Sequence, residues 1–85
     1  MGGFPLYFGE VNKKYIIKNF VGNDDVLKRL IDMGFVKDAE ITILGKSKSG
    51  VMVRILESKL ALDFSLANKI YIAEKNKNNE TDNQR

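Results

Sequence analysis

The side chains of this sequence that could do chemistry are carboxylates, lysines and hydroxyls. Asp24, Asp25, Asp32, Asp38 and Glu40 fall in one stretch and could offer oxygen ligands to a hard cation. A calcium loop needs its carboxylates at fixed, alternating positions, and that spacing is missing here. Asp24 and Asp25 are better read as helix-start residues, held at the positive end of the backbone dipole. The segment "GKSKSG" places Lys46 and Lys48 around Ser47, in the manner of a phosphate loop. A P-loop needs a further glycine at position 40 and a helix afterwards. Position 40 is glutamate and a strand pattern follows, so the segment is read as a solvated hairpin tip. Ser47, Ser49, Ser58 and Ser65 lack a general base that could activate a hydroxyl.

Two residue types are missing altogether. The chain has no Cys and no His. That removes disulfides, thiolate and imidazole metal sites, cysteine nucleophiles and imidazole acid–base catalysis together. No enzyme activity, cofactor or metal site is expected. Tyr7, Tyr15, Phe20 and Tyr71, with lysines nearby, could stack nucleobases. Their positions in strand patterns assign them instead to the core or its edge. The net charge of +3 is mild and the basic and acidic residues are interspersed along the chain, so no nucleic-acid partner is expected.

These residues must be positioned by a small frame. The 85 residues suffice for one domain. Hydrophobic content of 44% and charged content of 29% are those of a water-soluble fold, and no apolar run approaches the ~20 residues of a membrane span. The apolar start "MGGFPLYFGE" lacks the basic region of a signal peptide and the hydroxyl residue of a myristoylation signal. It reads as an extended lead-in, with Leu6 and Phe8 folding back onto the core and Gly9 marking a turn.

"KKYIIKNFVG" at 13–22 reads as a strand. "NDDVLKRLIDMG" then reads as a helix, capped by Asn23 or Asp24, with Val26, Leu27, Leu30 and Ile31 on its inner face. Gly34 suits the left-handed position after the helix, and Phe35 can pack back on the last turn. From there the period becomes two. "AEITILGK", "VMVRIL" and "KLALDF" are three strands, with Leu60, Leu62 and Phe64 on one face of the third. The "KSKSG" hairpin uses Gly50 at positive φ. "SLANK" is a short helical turn opened by Ser65, and "IYIAE" is the last strand. Five short strands suggest a small barrel in which the first and last strands pair and remove the open edges. Residues 1–74 form the domain, and 75–85 form a polar tail expected to be disordered.

The order of these pieces resembles a known family. A helix ending in a Met-Gly-Phe step, "LKRLIDMGFVKDAEITIL", is followed by "GVMVRILESKLALDFSLANKIYI". Together with the lead-in Pro5–Leu6 and the "VGNDD" step, this resembles ferrous iron transport protein A, FeoA, over residues 5 to about 74. The resemblance implies a mainly β SH3-like barrel of about five strands, with a helix between strands 1 and 2 and a short helical turn before the last. It implies a cytoplasmic accessory protein whose partner is the membrane ferrous-iron transporter FeoB, through its cytoplasmic GTP-binding region. The same barrel occurs as the C-terminal domain of iron-dependent repressors of the diphtheria-toxin type. Two further readings are a nucleic-acid-binding small barrel and a repressor-type peptide-binding domain. Many family members carry an Ala-Pro-Leu-Gly-Asp-Pro-like hairpin where this chain has "GKSKSGV", so contacts made by that loop elsewhere do not carry over. Transition-metal binding is a family label, but a chain with only carboxylates and carbonyls is a poor ligand for Fe²⁺. The expected partner-binding residues are Lys28, Arg29, Met33 and Phe35 at the helix and its exit, with Lys46 and Lys48 steering from the hairpin tip. A monomer is expected, peripheral to the membrane only through the transporter.

Overall fold

The computed structural model describes residues 3–75. Most of the expected polar tail, 76–85, lies outside the described residues. The chain runs β1 (Phe4–Pro5), a 3₁₀ turn (Leu6–Phe8), β2 (Lys14–Phe20), α1 (Asp24–Asp32), β3 (Glu40–Ser47), β4 (Gly50–Ile55), β5 (Ser58–Asp63), α2 (Phe64–Ala67) and β6 (Ile70–Glu74). The strands form one antiparallel sheet in the order β1-β6-β2-β3-β4-β5. The expected pairing of the first long strand with the last is present, since Ile16 faces Ala73 and Ile17 faces Ile72. Not all open edges disappear, however. The extra two-residue strand β1 takes the far side of β6, and among the described residues β5 is bonded only to β4.

The core follows from the period-two pattern. Ile41, Ile43, Val51, Val53, Ile55 and Leu62 turn inward, and Tyr15, Ile17, Ile70 and Ile72 meet them across the curled sheet. Tyr15 can be buried because its phenol oxygen accepts a bond from the Glu10 amide at 2.7 Å, which removes the cost of an unpaired polar atom. It is therefore a core residue, unavailable for base stacking.

α1 closes one side of the sheet. Asn23 is the cap, its Oδ1 accepting from the Val26 amide at 3.0 Å, and Asp24 and Asp25 fill the first turn. The inward stripe is Val26, Leu30 and Met33, spaced i, i+4, i+7. Ile31 lies about 100° round the helix from Leu30 and is exposed, which corrects its expected place on the inner face. The helix exit is a Schellman motif. Gly34 has φ 103°, its amide donates to the Ile31 carbonyl at 2.9 Å, and the Phe35 amide reaches back to the Leu30 carbonyl at 2.9 Å. Leu30 and Phe35, the hydrophobic pair that accompanies such an exit, are both fully buried.

The β4–β5 connection is a two-residue turn closed by Ile55 and Ser58. Its first residue, Leu56, has φ 58° and is 75% exposed. A leucine there carries a left-handed strain of ~1–2 kcal/mol and gains little burial in exchange. Leu56→Asn, which tolerates this conformation, is expected to raise stability by about 0.5–1 kcal/mol, read as a higher urea midpoint at unchanged slope.

Candidate docking surface

One end of the sheet carries an aromatic platform built from three separate segments. After β1 the chain tightens into the 3₁₀ turn, closed by the Gly9 amide on the Leu6 carbonyl at 3.0 Å. With three residues per turn, successive side chains point about 120° apart. Leu6 is buried, Tyr7 is half-buried against the edge of the core, and Phe8 is turned outward and 65% exposed. This corrects the expectation that Phe8 folds inward with Leu6.

The second segment is the hairpin between β3 and β4. The ladder shifts register between Ile43 and Gly45, leaving Leu44 as a bulge. Simple alternation from Ile41 and Ile43 would send Lys46 outward. The bulge instead pairs Lys46 with Val51, on the inward-facing row at the end of the sheet. There its Nζ donates to the Tyr7 carbonyl at 2.9 Å and sits 5.3 Å from the Tyr7 ring centre. The Tyr7 hydroxyl donates to the Ser47 carbonyl at 2.8 Å. The turn is tight, with Ser47 facing Gly50 and only Lys48 and Ser49 between them. Gly50 was expected at positive φ but is not among the glycines that adopt it. It is buried and required for space: a Cβ there would collide with the Leu62 carbonyl oxygen.

The third segment is the start of α2. The Asp63 carboxylate accepts from the Leu66 amide at 2.8 Å, so the chain leaves the strand one residue before Phe64. The Phe64 amide donates to the Ser49 carbonyl at 2.8 Å. Phe64 was expected inward as the next step of the β5 alternation, but the cap turns it outward and 45% of it is exposed. Its ring packs edge-on against Tyr7 at 4.9 Å, and Phe8 meets Tyr7 at 6.0 Å. A shallow depression of about 490 Å³ adjoins the platform, floored by Gly45, Met52 and Ala61.

The expected contact residues are split by this geometry. Lys46 belongs to the platform and Lys48 stands exposed beside it. Lys28 and Arg29 are exposed on α1, at the other end of β3 from the hairpin, and the eight residues of that strand span about 23 Å. Met33 is half-buried against the core. Phe35 is removed from the contact set, because it is fully buried beneath the helix exit. Phe8 and Phe64, the two exposed aromatics of the platform, were missed. The signals for them were Phe8 directly before Gly9, and Asp63 three residues ahead of "LANK" as a cap in place of Ser65.

Among the described residues no three Asp or Glu side chains converge on a site that could hold a metal, and no charged side chain is buried. Lys13 is held above its usual pKa, first by its bond to the Glu74 carboxylate at 2.9 Å, and so stays a cation. Among the described residues no helix is long and apolar enough to cross a membrane.

Solved structures with this fold are numerous. An FeoA-like protein from Clostridium acetobutylicum is 26% identical with a TM-score of 0.79, covering 91% of this chain and 92% of that one. The FeoA of Stenotrophomonas maltophilia, described with bound zinc as an SH3-domain protein and a candidate ferrous iron transport activating factor, is 21% identical with a TM-score of 0.71, covering 82% and 89%. The cadmium-bound metalloregulator ScaR shares the fold at 20% identity and a TM-score of 0.79, over 87% of this chain and 36% of its own. No curated protein sequence matches the chain. The FeoA domain model matches residues 4–74, nearly the whole described chain, and on that ground this protein belongs to the FeoA domain family.

Proposed function

We propose that this protein is a cytoplasmic accessory component of ferrous iron uptake, which docks on the cytoplasmic GTP-binding region of the transporter FeoB through the aromatic platform. One observation carries the reading. Phe8 and Phe64 are both exposed and both packed edge-on against Tyr7, with Lys46 bonded to the same residue and Lys48 on the adjoining turn, in a chain with no converging metal-binding side chains among its described residues. Exposed aromatics that pack on an anchored neighbour lose little entropy on binding and are common interface anchors. The lysines would speed encounter with an acidic surface. Lys28, Arg29 and Met33 on α1 form a second, separate contact. Regulation by such docking requires that the protein prefer one nucleotide state of the transporter, since equal affinity shifts no equilibrium.

The test is a titration of isotope-labelled protein with the GTP-binding region, in its GDP and GTP-analogue forms, following backbone amides. The shifts should centre on residues 7, 8, 46–49 and 64. Phe8→Ala should weaken binding by about tenfold, in line with an anchor worth ~1.4 kcal/mol, without moving core amides. Shifts confined to α1 would transfer the contact to Lys28 and Arg29. A spectrum unchanged at saturating partner would refute the docking itself.

A further inference from the structure

β5 is an open edge strand that is complementary to itself. We propose that two copies of this chain pair antiparallel through β5, continuing the sheet across a two-fold axis. This inference is independent of docking to a transporter, and it departs from the expectation of a monomer.

The backbone phase supports it first. The two-residue turn makes Ile55 and Ser58 a mutually bonded pair, and the bond from the Phe64 amide to the Ser49 carbonyl shows the same phase at the other end of the hairpin. Ser58, Leu60 and Leu62 therefore direct their backbone groups to β4. Lys59, Ala61 and Asp63 direct theirs away from it. Among the described residues no strand takes the other side of β5, and all three residues are exposed. An edge of this kind is a ready template for another strand.

The side chains then select the partner. With Ala61 opposite Ala61 of the second copy, Lys59 falls opposite Asp63, and the two-fold axis repeats that pair. All three positions are of the kind whose backbone groups point outward, so the register satisfies the free amides and carbonyls reciprocally. Leu60 falls opposite Leu62 on the other face. Edge lysines ordinarily deter pairing. Here each would meet a carboxylate at the directly opposed position, where unlike charges stabilise and like charges repel. Lys59 makes no ion pair with the described residues, and Asp63 uses only Oδ1 for its cap. A one-residue slip would lose both charge pairs and turn the bonded groups out of phase. At the axis Ala61 is small, which lets the strands approach, and Met52, its partner on β4, is exposed on the same face.

Sedimentation equilibrium of the protein alone tests this. The average mass should rise from one chain toward two with concentration, and fall again in high salt as the exposed charge pairs are screened. Lys59→Glu sets Glu against Asp63 twice, and Asp63→Lys sets Lys against Lys59 twice. Each variant alone should dimerise at least tenfold more weakly. Mixed in equal amounts they should form a heterodimer, since both charge pairs are then restored. Asp63→Asn, which keeps a capping side chain, guards against unfolding of α2 and should weaken the dimer several-fold. Amide exchange at Lys59, Ala61 and Asp63 should slow at high concentration in the natural protein. A chain that stays single at every concentration, a dimer indifferent to Lys59→Glu, or folded variants that fail to complement when mixed would each overturn the proposal.

Discussion

Phe35→Ala is expected to cost about 3–5 kcal/mol, a large part of the ~5–15 kcal/mol that holds a domain of this kind together. The aromatic ring is fully buried and belongs to the same cluster as Leu30, Ile17 and Ile41. Truncation removes its apolar area from the core and leaves a cavity that the sheet cannot collapse to fill. The Schellman exit worsens the loss, because Phe35 is also the residue whose amide returns to Leu30. Phe35→Leu, which keeps most of the volume, should cost no more than ~1.5 kcal/mol. Urea denaturation of the two variants separates a core residue from an exposed contact residue, for which both changes would fall within ~0.5 kcal/mol.

Gly50→Ala is the second large effect, expected at about 2–3 kcal/mol. The added methyl would strike the Leu62 carbonyl oxygen and come within 2.9 Å of the Asp63 Cα, both parts of the backbone of the neighbouring strand. Relief requires β4 and β5 to separate at the point where Asp63 caps α2 and Phe64 bonds back to Ser49. Gly45→Ala is the matched control. A Cβ at Gly45 meets nothing within 4 Å, and that substitution should stay within ~0.5 kcal/mol. Thermal unfolding of both variants, with the Leu66 amide as a reporter of the α2 cap, checks the prediction.

Part of the frame was legible because local physics and the final packing agree in it. The helix from Asn23 to Gly34 follows from cap, stripe and stop, each decided by residues within two turns of one another. The alternations of 41–43, 51–55 and 60–62 follow from the pleat, which puts every second side chain on one face. The resemblance to FeoA rested on the order of these same pieces. The mistakes lie where a side chain's direction depends on something outside its own element. Phe35 was expected to pack back on the last turn and also to meet a partner, and the sheet behind the helix leaves it no exposed surface for the second role. Ile31 completes an apolar stripe in sequence, yet α1 meets the sheet along a narrower strip centred on Leu30.

By itself, then, the sequence determined the classes of chemistry ruled out by the absence of His and Cys, the helix with its exit, and the strands with their inward residues. These are properties of residue type and of spacings shorter than a hairpin. Tertiary structure alone decided the platform. A bulge at Leu44 reverses Lys46, a cap at Asp63 reverses Phe64, and a 3₁₀ turn displaces Phe8, and each is a one-residue change of phase that period-two reading carries past unseen. It also decided which edge stays open. A single strand pattern does not reveal its neighbours, and β5 is left exposed because β1 and β2 take the two sides of β6 between them.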